Sequence, residues 1–428
     1  MKQQHAFYII LIGQLVSVVG SGMTRFGLSV WVFEETGSAT AFTTLIFFAV
    51  VPLALGALIA GPLVDRWNRR WVMIGGNVIA SLSTLVVIGL FYGGVLEPWH
   101  LYITLSINGL ANAFIIPAFE ASVPLLVDKD DLGRASGLTQ LVSALDPIVS
   151  PALAGVLVTS FGLGAVFIAD VATFSVGVIS LLIVSIPQPQ PNQEERMSFL
   201  DDLRYGMRYI WQRPPFVILI SLLSLFMFFQ GIAYALTGPL VLSFAGAQAL
   251  GWSYMGVGLG ALVGGGLLGV WGGPKRRMDG IIVGLFTVGV GCFVISLRPN
   301  ALLIALGLLI FGLGFIFMIG LNRVIYQVKA APEVLGRIFS LRVMLGVSMQ
   351  SVGILVAGPL VVRVFQPLMS GESAFAGQLE QIFGIGEGRG AALMYLILAA
   401  VSWLIGCLAL LPKVRKLEDD LPDYVNTD

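Results

Sequence analysis

The sequence carries few charged residues, and this shortage excludes a soluble protein. Only 11% of the 428 residues are charged and 57% are hydrophobic, whereas soluble domains carry about 25% charged residues. A soluble chain of this length would still need a polar surface, so most of this surface must face lipid. The mean hydropathy of +0.91 agrees with this interpretation.

Residues that bind metal ions are equally scarce. The two cysteines, Cys292 and Cys407, lie inside apolar runs without ligand spacing, and the two histidines, His5 and His100, fall at predicted helix ends. We therefore interpret the cysteines as small buried hydrophobic residues and expect no metal site.

The sequence also lacks the patterns that bind nucleotides and nucleic acids. The net charge is zero at pH 7, which gives no basic surface for nucleic acid. No glycine-rich loop follows a predicted strand and no Walker lysine pattern is present, which excludes an ATP-driven pump. We expect a protein that is not an enzyme and needs no cofactor.

What the sequence does contain is a series of apolar runs that are long enough to cross a membrane as helices. A membrane barrel would instead show short segments of alternating hydrophobicity. The first run has no small-residue cleavage site before Glu34, so we interpret it as a membrane span rather than a signal peptide. The twelve predicted spans are 7–33, 39–64, 71–94, 99–126, 134–160, 164–186, 215–243, 249–272, 279–297, 300–327, 338–365 and 391–411.

Lysine and arginine are concentrated on one side of these spans. They occur near the N-terminus, in the loops that follow even-numbered spans and in the C-terminal tail, whereas the opposite loops hold Arg298 and Arg389. Basic loops stay in the cytoplasm, so this asymmetry predicts that both termini are cytoplasmic.

The stretch 187–214 separates the first six spans from the last six. Phe199, Leu203, Met207 and Ile210 recur there at helical spacing among charged residues, which predicts an amphipathic helix on the inner membrane face. The predicted domains are an N-terminal six-helix bundle (1–186), this cytoplasmic linker (187–214), a C-terminal six-helix bundle (215–412) and a cytoplasmic tail (413–428).

The two halves repeat one another. Leu132-Gly133-Arg134 opens the fifth span, and Leu335-Gly336-Arg337 opens the eleventh span. Two parallel six-helix repeats are an architecture of secondary transporters, which alternate access at the seam between the repeats. The eighth span has a face of small residues that predicts close helix packing in lipid. Its glycines are Gly256, Gly258, Gly260, Gly264, Gly265 and Gly266.

The loop between the second and third spans resembles the signature loop of the major facilitator superfamily. That signature places a glycine, an acid and three arginines in one register, and these fall here at Gly61, Asp65, Arg66, Arg69 and Arg70. Asn68 replaces the usual glycine, and we expect asparagine to tolerate a positive φ at this turn.

Other stretches resemble one branch of that family, the macrolide-efflux and enterobactin-exporter group. The stretches are 14–21, 117–119 followed by 123–127, and 131–135. Residues 150–155 resemble a glycine- and proline-rich motif of exporters in which Ser150 and Ala154 replace glycines. The resemblance implies an all-α integral membrane fold with twelve transmembrane helices in two six-helix repeats.

The resemblance also implies a function. We expect a secondary active transporter in the bacterial plasma (inner) membrane that exports an amphiphilic small molecule, such as a drug, macrolide or siderophore. Alternating access, proton antiport and a monomeric state are further expectations, with the proton gradient as the energy source. The alternatives are an uptake or lysophospholipid-like carrier on the same fold, or a non-transporting membrane sensor or scaffold.

The resemblance implies that the signature loop acts as a cytoplasmic gate. Asp65 would lie near the N-terminus of the eleventh span, where free N–H groups favour an anion. The loop arginines would pair with carboxylates at neighbouring helix ends, with Glu120 and Asp128 as candidates. The alternative is that the basic residues only hold the loop inside.

Charged residues within the spans are rare and costly, at about 2.5–3.5 kcal/mol for an isolated charge at the bilayer centre. Arg25 and Asp170 fall at similar depths, so a structural ion pair between them is one hypothesis. Asp146 lies near mid-span and is the candidate for proton coupling, unless Arg25 holds it ionised. Glu120 is a further candidate, and it forms a gate with Arg323 and Arg342 unless these arginines reach the headgroups.

The resemblance implies that the first helix of each three-helix unit (spans 1, 4, 7 and 10) faces the central cavity. Polar stripes on these spans predict a substrate site. Uncharged hydrogen-bonding groups on an apolar wall suit a bulky amphiphile. The alternative for each residue is polar packing between helices. The predicted cavity residues are Gln14, Ser17, Ser21, Thr24, Asn108, Asn112, Gln230, Tyr234, Thr237, Asn322 and Tyr326.

Overall fold

A computed structural model of the chain describes residues 3–64, 66–128, 131–187, 199–331, 334–369, 386 and 388–421. These residues form helices joined by short connections, and twelve helices are long and apolar enough to cross a membrane. The predicted all-α membrane fold is therefore confirmed. The chain divides into two compact units, residues 1–193 with 245–254 and residues 194–244 with 255–428.

The first unit contains six membrane helices, each close to a predicted span. Its packing centres on α1, which contacts α5 and α6, and on α4, which contacts α2 and α3. The helices are α1 (Gln3–Thr36), α2 (Ala39–Val64), α3 (Arg69–Tyr92), α4 (Pro98–Leu126), α5 (Leu132–Phe161) and α6 (Leu163–Ile183).

Small residues permit the close crossings in this unit. A methyl group at Gly109 of α4 would lie 2.7 Å from the carbonyl oxygen of Ala49 in α2. A methyl group at Gly177 of α6 would lie 2.9 Å from Cβ of Ser17 in α1. Such contacts replace the hydrophobic driving force that lipid cannot supply between membrane helices.

Asn68 serves the signature loop differently from the sequence prediction. Its φ is −67°, and its side chain accepts a hydrogen bond from the backbone N–H of Trp71. Asparagine is therefore present as the N-cap of α3, because this cap satisfies an N–H that has no partner in the first helical turn. The expectation of a positive φ is wrong.

A helix is present where the linker helix is predicted, at α7 (Phe199–Trp211). It contacts α8 and α12, and it buries Tyr209 and Ile210. The Tyr209 hydroxyl accepts a 3.4 Å hydrogen bond from the backbone N–H of Ala331. Met207, which belongs to the predicted apolar stripe, is 41% exposed, and the Phe199 and Leu203 side chains lie outside the described residues.

The second unit contains the remaining membrane helices, apart from residues 247–254 at the start of the eighth span, which are grouped with the first unit. α12 contacts α8, and α10 contacts both α11 and α13. α12 continues through a π-helical turn, Val361–Phe365, and a short turn, Gln366–Leu368. The helices are α8 (Pro214–Leu242), α9 (Ala247–Trp271), α10 (Arg277–Ser296), α11 (Ala301–Lys329), α12 (Leu335–Leu360), α13 (Arg389–Ala409) and the short α14 (Pro412–Arg415).

The glycine face of the eighth span packs against α11. Gly256, Gly260 and Gly264 approach the α11 backbone, and a methyl group at Gly264 would lie 3.0 Å from the carbonyl oxygen of Leu313. No atom lies within 4 Å of a methyl group at Gly266 among the described residues. The packing face therefore uses the glycines that are four residues apart, because these share one side of the helix.

The chain after α13 folds back onto the second unit. Glu418 pairs with Arg277 at 3.2 Å and accepts a 3.3 Å hydrogen bond from the backbone N–H of Met278, at the start of α10. Arg415 donates two hydrogen bonds to Asp279, at 2.6 and 3.1 Å, and this bonding raises the pKa of Arg415. The described part of the predicted tail is thus held against α10 by its charges.

Candidate functional site

The six helices of the first unit line an open cavity of about 390 Å³. Apolar residues such as Ile116, Phe119 and Phe174 form much of its wall. Polar and charged residues from α1, α3, α4, α5 and α6 interrupt this wall. They are Gln14, Ser17, Ser21, Arg25, Asn77, Ser81, Thr84, Asn112, Glu120, Thr139, Asp146 and Asp170.

The predicted polar stripe of α1 faces this cavity. Gln14, Ser17 and Ser21 line it, while Thr24 lines a narrow adjoining pocket together with Asn108 of α4. The spacing of these residues on α1 places them on one face of a helix. Asn112 completes the cavity residues predicted in the first unit, since it lines the main cavity from α4 and donates to Asn108 Oδ1 at 2.9 Å.

Arg25 forms an ion pair with Asp146. Its Nη2 lies 3.0 Å from Asp146 Oδ2, and the Ser150 hydroxyl donates a 2.7 Å hydrogen bond to Asp146 Oδ1. The Arg25 side chain is 44% exposed and the Asp146 side chain 21% exposed, so the pair borders open space in the cavity. The hypothesis that Arg25 pairs with Asp170 is wrong for this conformation, because α5 presents Asp146 to the arginine.

Asp170 is instead surrounded by hydroxyl groups. It is 4% exposed, and it accepts hydrogen bonds from Thr24 at 2.8 Å, Thr84 at 3.4 Å and Ser21 at 3.5 Å. These hydroxyls come from α1 and α3, so the carboxyl group of α6 joins three helices. A buried carboxyl group needs such partners, since it would otherwise lose its bonds to water.

Sequence reasoning missed the contribution of α3. Asn77, Ser81 and Thr84 follow the spacing i, i+4, i+7 and line the cavity. The same helical period that revealed the α1 stripe was present, but only the first helix of each three-helix unit was expected to face the cavity. Glu120 lines the cavity from α4 and is exposed.

The polar residues predicted in the second unit make contacts between helices. Thr237 Oγ1 lies 2.7 Å from the Tyr395 hydroxyl, and Gln230 accepts a 2.8 Å hydrogen bond from Gln350. Tyr234 is 42% exposed on α8. These contacts correspond to the alternative of polar packing, and a role in substrate binding stays a prediction.

Two further predicted residues surround the buried guanidinium of Arg342. Asn322 Oδ1 accepts its 3.0 Å hydrogen bond, and Tyr326, which is 0% exposed, stacks on Phe216 with ring centres 5.5 Å apart. Arg323 lies beside the ring of Phe339, 5.7 Å from its centre. Arg342 thus packs between α11 and α12 rather than reaching outward from the unit.

The signature loop binds helix carbonyls. Arg70 donates to the carbonyl oxygens of Leu181 at 2.8 Å and Leu182 at 2.6 Å, in the last turn of α6. Arg69 donates to the Ala121 carbonyl oxygen at 2.7 Å. The expected carboxylate partner is wrong for Arg70, because the last carbonyls of a helix lack partners and attract cations.

Other parts of the predicted gate are less completely seen. Asp65 lies outside the described residues, Gly61 belongs to the last turn of α2 and Arg66 is exposed.

Arg389, which sequence reasoning assigned only to a loop, is buried and donates to the Ser296 carbonyl oxygen at 2.9 Å, at the end of α10. Among the described residues, no three His, Cys, Asp or Glu side chains are grouped to hold a metal ion.

Comparison with known proteins places this geometry among transporters. The family model of the Major Facilitator Superfamily matches residues 10–354. Macrolide efflux protein A of Streptococcus pyogenes is 30% identical over 341 residues, which cover 78% of this chain and 84% of that protein. The Enterococcus faecalis protein of the same name is 31% identical over 297 residues, covering 68% of this chain and 92% of its own.

The fold is shared with solved structures of low sequence identity. A crystal structure of a point mutant of the nucleoside transporter NupG superposes with a TM-score of 0.73 at 12% identity. The superposition covers 95% of this chain and 100% of that chain.

Proposed function

This chain belongs to the Major Facilitator Superfamily, and on that premise we propose that it exports amphiphilic small molecules by alternating access. The polar and charged cavity of the first unit carries the proposal. The two relatives named for macrolide efflux, which match more than two thirds of this chain, support export as the direction and a bulky amphiphile as the cargo.

The cavity has the size and chemistry that such a cargo needs. Its volume of about 390 Å³ lies within the range of about 300–1,000 Å³ that small-molecule pockets occupy. Phe119 and Phe174 offer apolar contact area, and Gln14, Ser21 and Asn112 offer hydrogen bonds at separate points. An amphiphile would bind with its apolar body against the phenylalanine rings and its polar atoms bonded to the amide and hydroxyl groups.

Proton influx is the energy source that we propose, with Asp146 as the coupling residue. The Asp146 carboxylate lies on the cavity wall and pairs with the guanidinium of Arg25, the one arginine that the described part of the chain places on this wall. Adding a proton to Asp146 would cancel its charge and release Arg25. Such a change of charge inside a membrane costs several kcal/mol unless another group compensates, so it can be linked to a change of conformation.

We also propose that the chain works as a monomer in the bacterial plasma membrane with both termini in the cytoplasm. The basic residues around Arg277 and Arg415 support this orientation. Lys275→Cys and Arg298→Cys, made one at a time, test this orientation by labelling with a membrane-impermeant thiol reagent. Labelling of the Lys275 position in intact cells would contradict the orientation.

Transport in proteoliposomes tests the function. We would impose a pH gradient, add macrolides, siderophores, dyes and lysophospholipids one at a time, and record the lumenal pH. We expect substrate-dependent proton flux for at least one amphiphile, at least tenfold lower in Asp146→Asn and unchanged in the matched control Glu35→Gln, whose side chain is exposed outside the cavity.

The other outcomes separate the alternatives. Proton flux that persists in Asp146→Asn would support proton antiport but assign the coupling to another carboxyl group. Transport of lysophospholipid alone, without proton flux, would support the lipid carrier. Binding without transport of any compound would contradict export.

A further inference from the structure

One guanidinium lies near two carboxyl groups in the first unit, the partly exposed Asp146 and the buried Asp170. Arg25 bonds to Asp146 at 3.0 Å, and Arg25 and Asp170 both line the narrow pocket that continues from the cavity. The third acid on the cavity wall, Glu120 of α4, is exposed. The described residues that α2 and α3 add to the wall are uncharged.

The charges of this group limit its protonation. An unpaired charge within a membrane span costs about 2.5–3.5 kcal/mol even on the scales that give the lowest values. One guanidinium can neutralise one carboxylate. The other carboxyl group avoids the cost when it carries a proton, and Asp170 is surrounded by hydroxyls that can accept a bond from its O–H as readily as donate to its carboxylate.

We propose that Asp146 and Asp170 share a single proton and that Arg25 exchanges between them. In the described conformation Arg25 pairs with the Asp146 carboxylate, and Asp170 holds the proton. In the exchanged state Asp170 has released its proton to cavity water, Asp146 has taken one up, and Arg25 pairs with Asp170. Each state contains one proton, one guanidinium and one carboxylate, so the net charge does not change.

The geometry leaves room for this exchange. Asp170 bonds to Thr24, which directly precedes Arg25, and to Ser21, which lies one turn before it on α1. Arg25 is 44% exposed to open space, so its long side chain can turn without leaving a packed core. The exchange would move the charge link of α1 from α5 to α6.

This inference rests on the proposed antiport, since it names the groups that hold the proton there. The test does not depend on transport. We would record the infrared carbonyl stretch of protonated carboxyl groups in the full-length protein in lipid bilayers, for the parent, Asp146→Asn, Asp170→Asn and the control Glu35→Gln.

We expect one band in the parent and in Glu35→Gln that is lost in both other variants. Removing either acid leaves one carboxylate for Arg25, so no proton is needed. A band that persists in Asp146→Asn would overturn the proposal, because Asp170 would then hold its proton independently of Arg25. A parent that lacks the band would overturn it as well.

Thermal unfolding gives a second measurement that survives weak expression. Each single variant keeps one partner for Arg25, whereas Asp146→Asn/Asp170→Asn leaves the guanidinium unpaired. We expect the double variant to lower the Tm by at least about 3 °C more than the sum of the two single-variant shifts. Adding Arg25→Gln to the double variant should recover that difference. Additive shifts would overturn the proposal.

The results also separate this inference from the proposed function. Proton flux in the parent together with a band that persists in Asp146→Asn would support proton antiport and contradict the shared proton. An absence of proton flux together with the expected loss of the band would support the shared proton and contradict proton antiport.

Discussion

Replacing Glu418 by glutamine tests whether the chain after α13 is an integral part of the second unit. The carboxyl group is 6% exposed, pairs with Arg277 at 3.2 Å and accepts the Met278 N–H at 3.3 Å. Glutamine keeps the shape and one acceptor but removes the charge. The guanidinium and the N-terminal end of α10 then face a neutral amide.

The expected cost follows from these contacts. A hydrogen bond to a charged group contributes about 1.5–3 kcal/mol, and the 28% exposure of the Arg277 side chain lowers that value through solvent screening. We expect a loss of about 2 kcal/mol. For a unit of this size, 1 kcal/mol shifts the Tm by about 2–4 °C, so Glu418→Gln should lower it by about 4–8 °C.

The neighbouring pair provides a matched control. Asp419 lies 3.4 Å from Arg276, and both side chains are 47% exposed. An exposed pair contributes about 0–1 kcal/mol, so Asp419→Asn should shift the Tm by no more than about 4 °C, and less than Glu418→Gln does. Differential scanning fluorimetry of the purified proteins in detergent measures both. Equal shifts in the two variants, or no shift in Glu418→Gln, would refute the reasoning.

Two further comparisons test helix packing in the second unit. Gly260→Ala should destabilise the protein by about 1–3 kcal/mol, because the added methyl group meets the Leu309 carbonyl. Gly266→Ala is the control and should not destabilise it, since its methyl group meets no described atom. Unfolding in detergent compares the two variants. Tyr395→Phe should cost about 1 kcal/mol, because the hydroxyl donates to the Ala233 carbonyl oxygen at 2.6 Å and is fully buried; an unchanged Tm would contradict this value.

The membrane helices could be predicted because their signal is local. A run of about 20 apolar residues specifies a spanning helix without reference to the rest of the chain. The helix ends differ from the predicted spans by a few residues, as in α1, which extends from Gln3 to Thr36 where 7–33 was predicted. The linker helix was also predictable because its period lies within thirteen residues, Phe199–Trp211.

The partners of charged residues could not be predicted in the same way. Asp146 and Asp170 lie on different helices, and the rotation of α5 and α6 about their axes decides which one meets Arg25. The contacts of Glu418 are equally remote, since they join residues 140 positions apart. Sequence patterns give the depth of a charge in the membrane, but not the face that a neighbouring helix presents to it.

The role of a polar stripe depends on what faces it. Ser17 and Ser21 of α1 and Thr237 of α8 belong to stripes with the same helical spacing, and the sequence predicted one role for both stripes. In the structure the α1 stripe borders a cavity, whereas Thr237 is 2% exposed and bonds to Tyr395. Periodicity identifies a polar face, and only the packing shows whether open space or another helix lies against it.

The distribution of acids limits where proton coupling can occur. The membrane helices of the second unit, α8 to α13, contain one acidic residue, Asp279, which lies in the first turn of α10 and is bonded to Arg415. The first unit places Glu120, Asp146 and Asp170 on one cavity wall. If protons drive transport, the carboxyl groups that carry them within the spans must therefore belong to the first unit, where Arg25 is the one arginine that the described residues place on that wall.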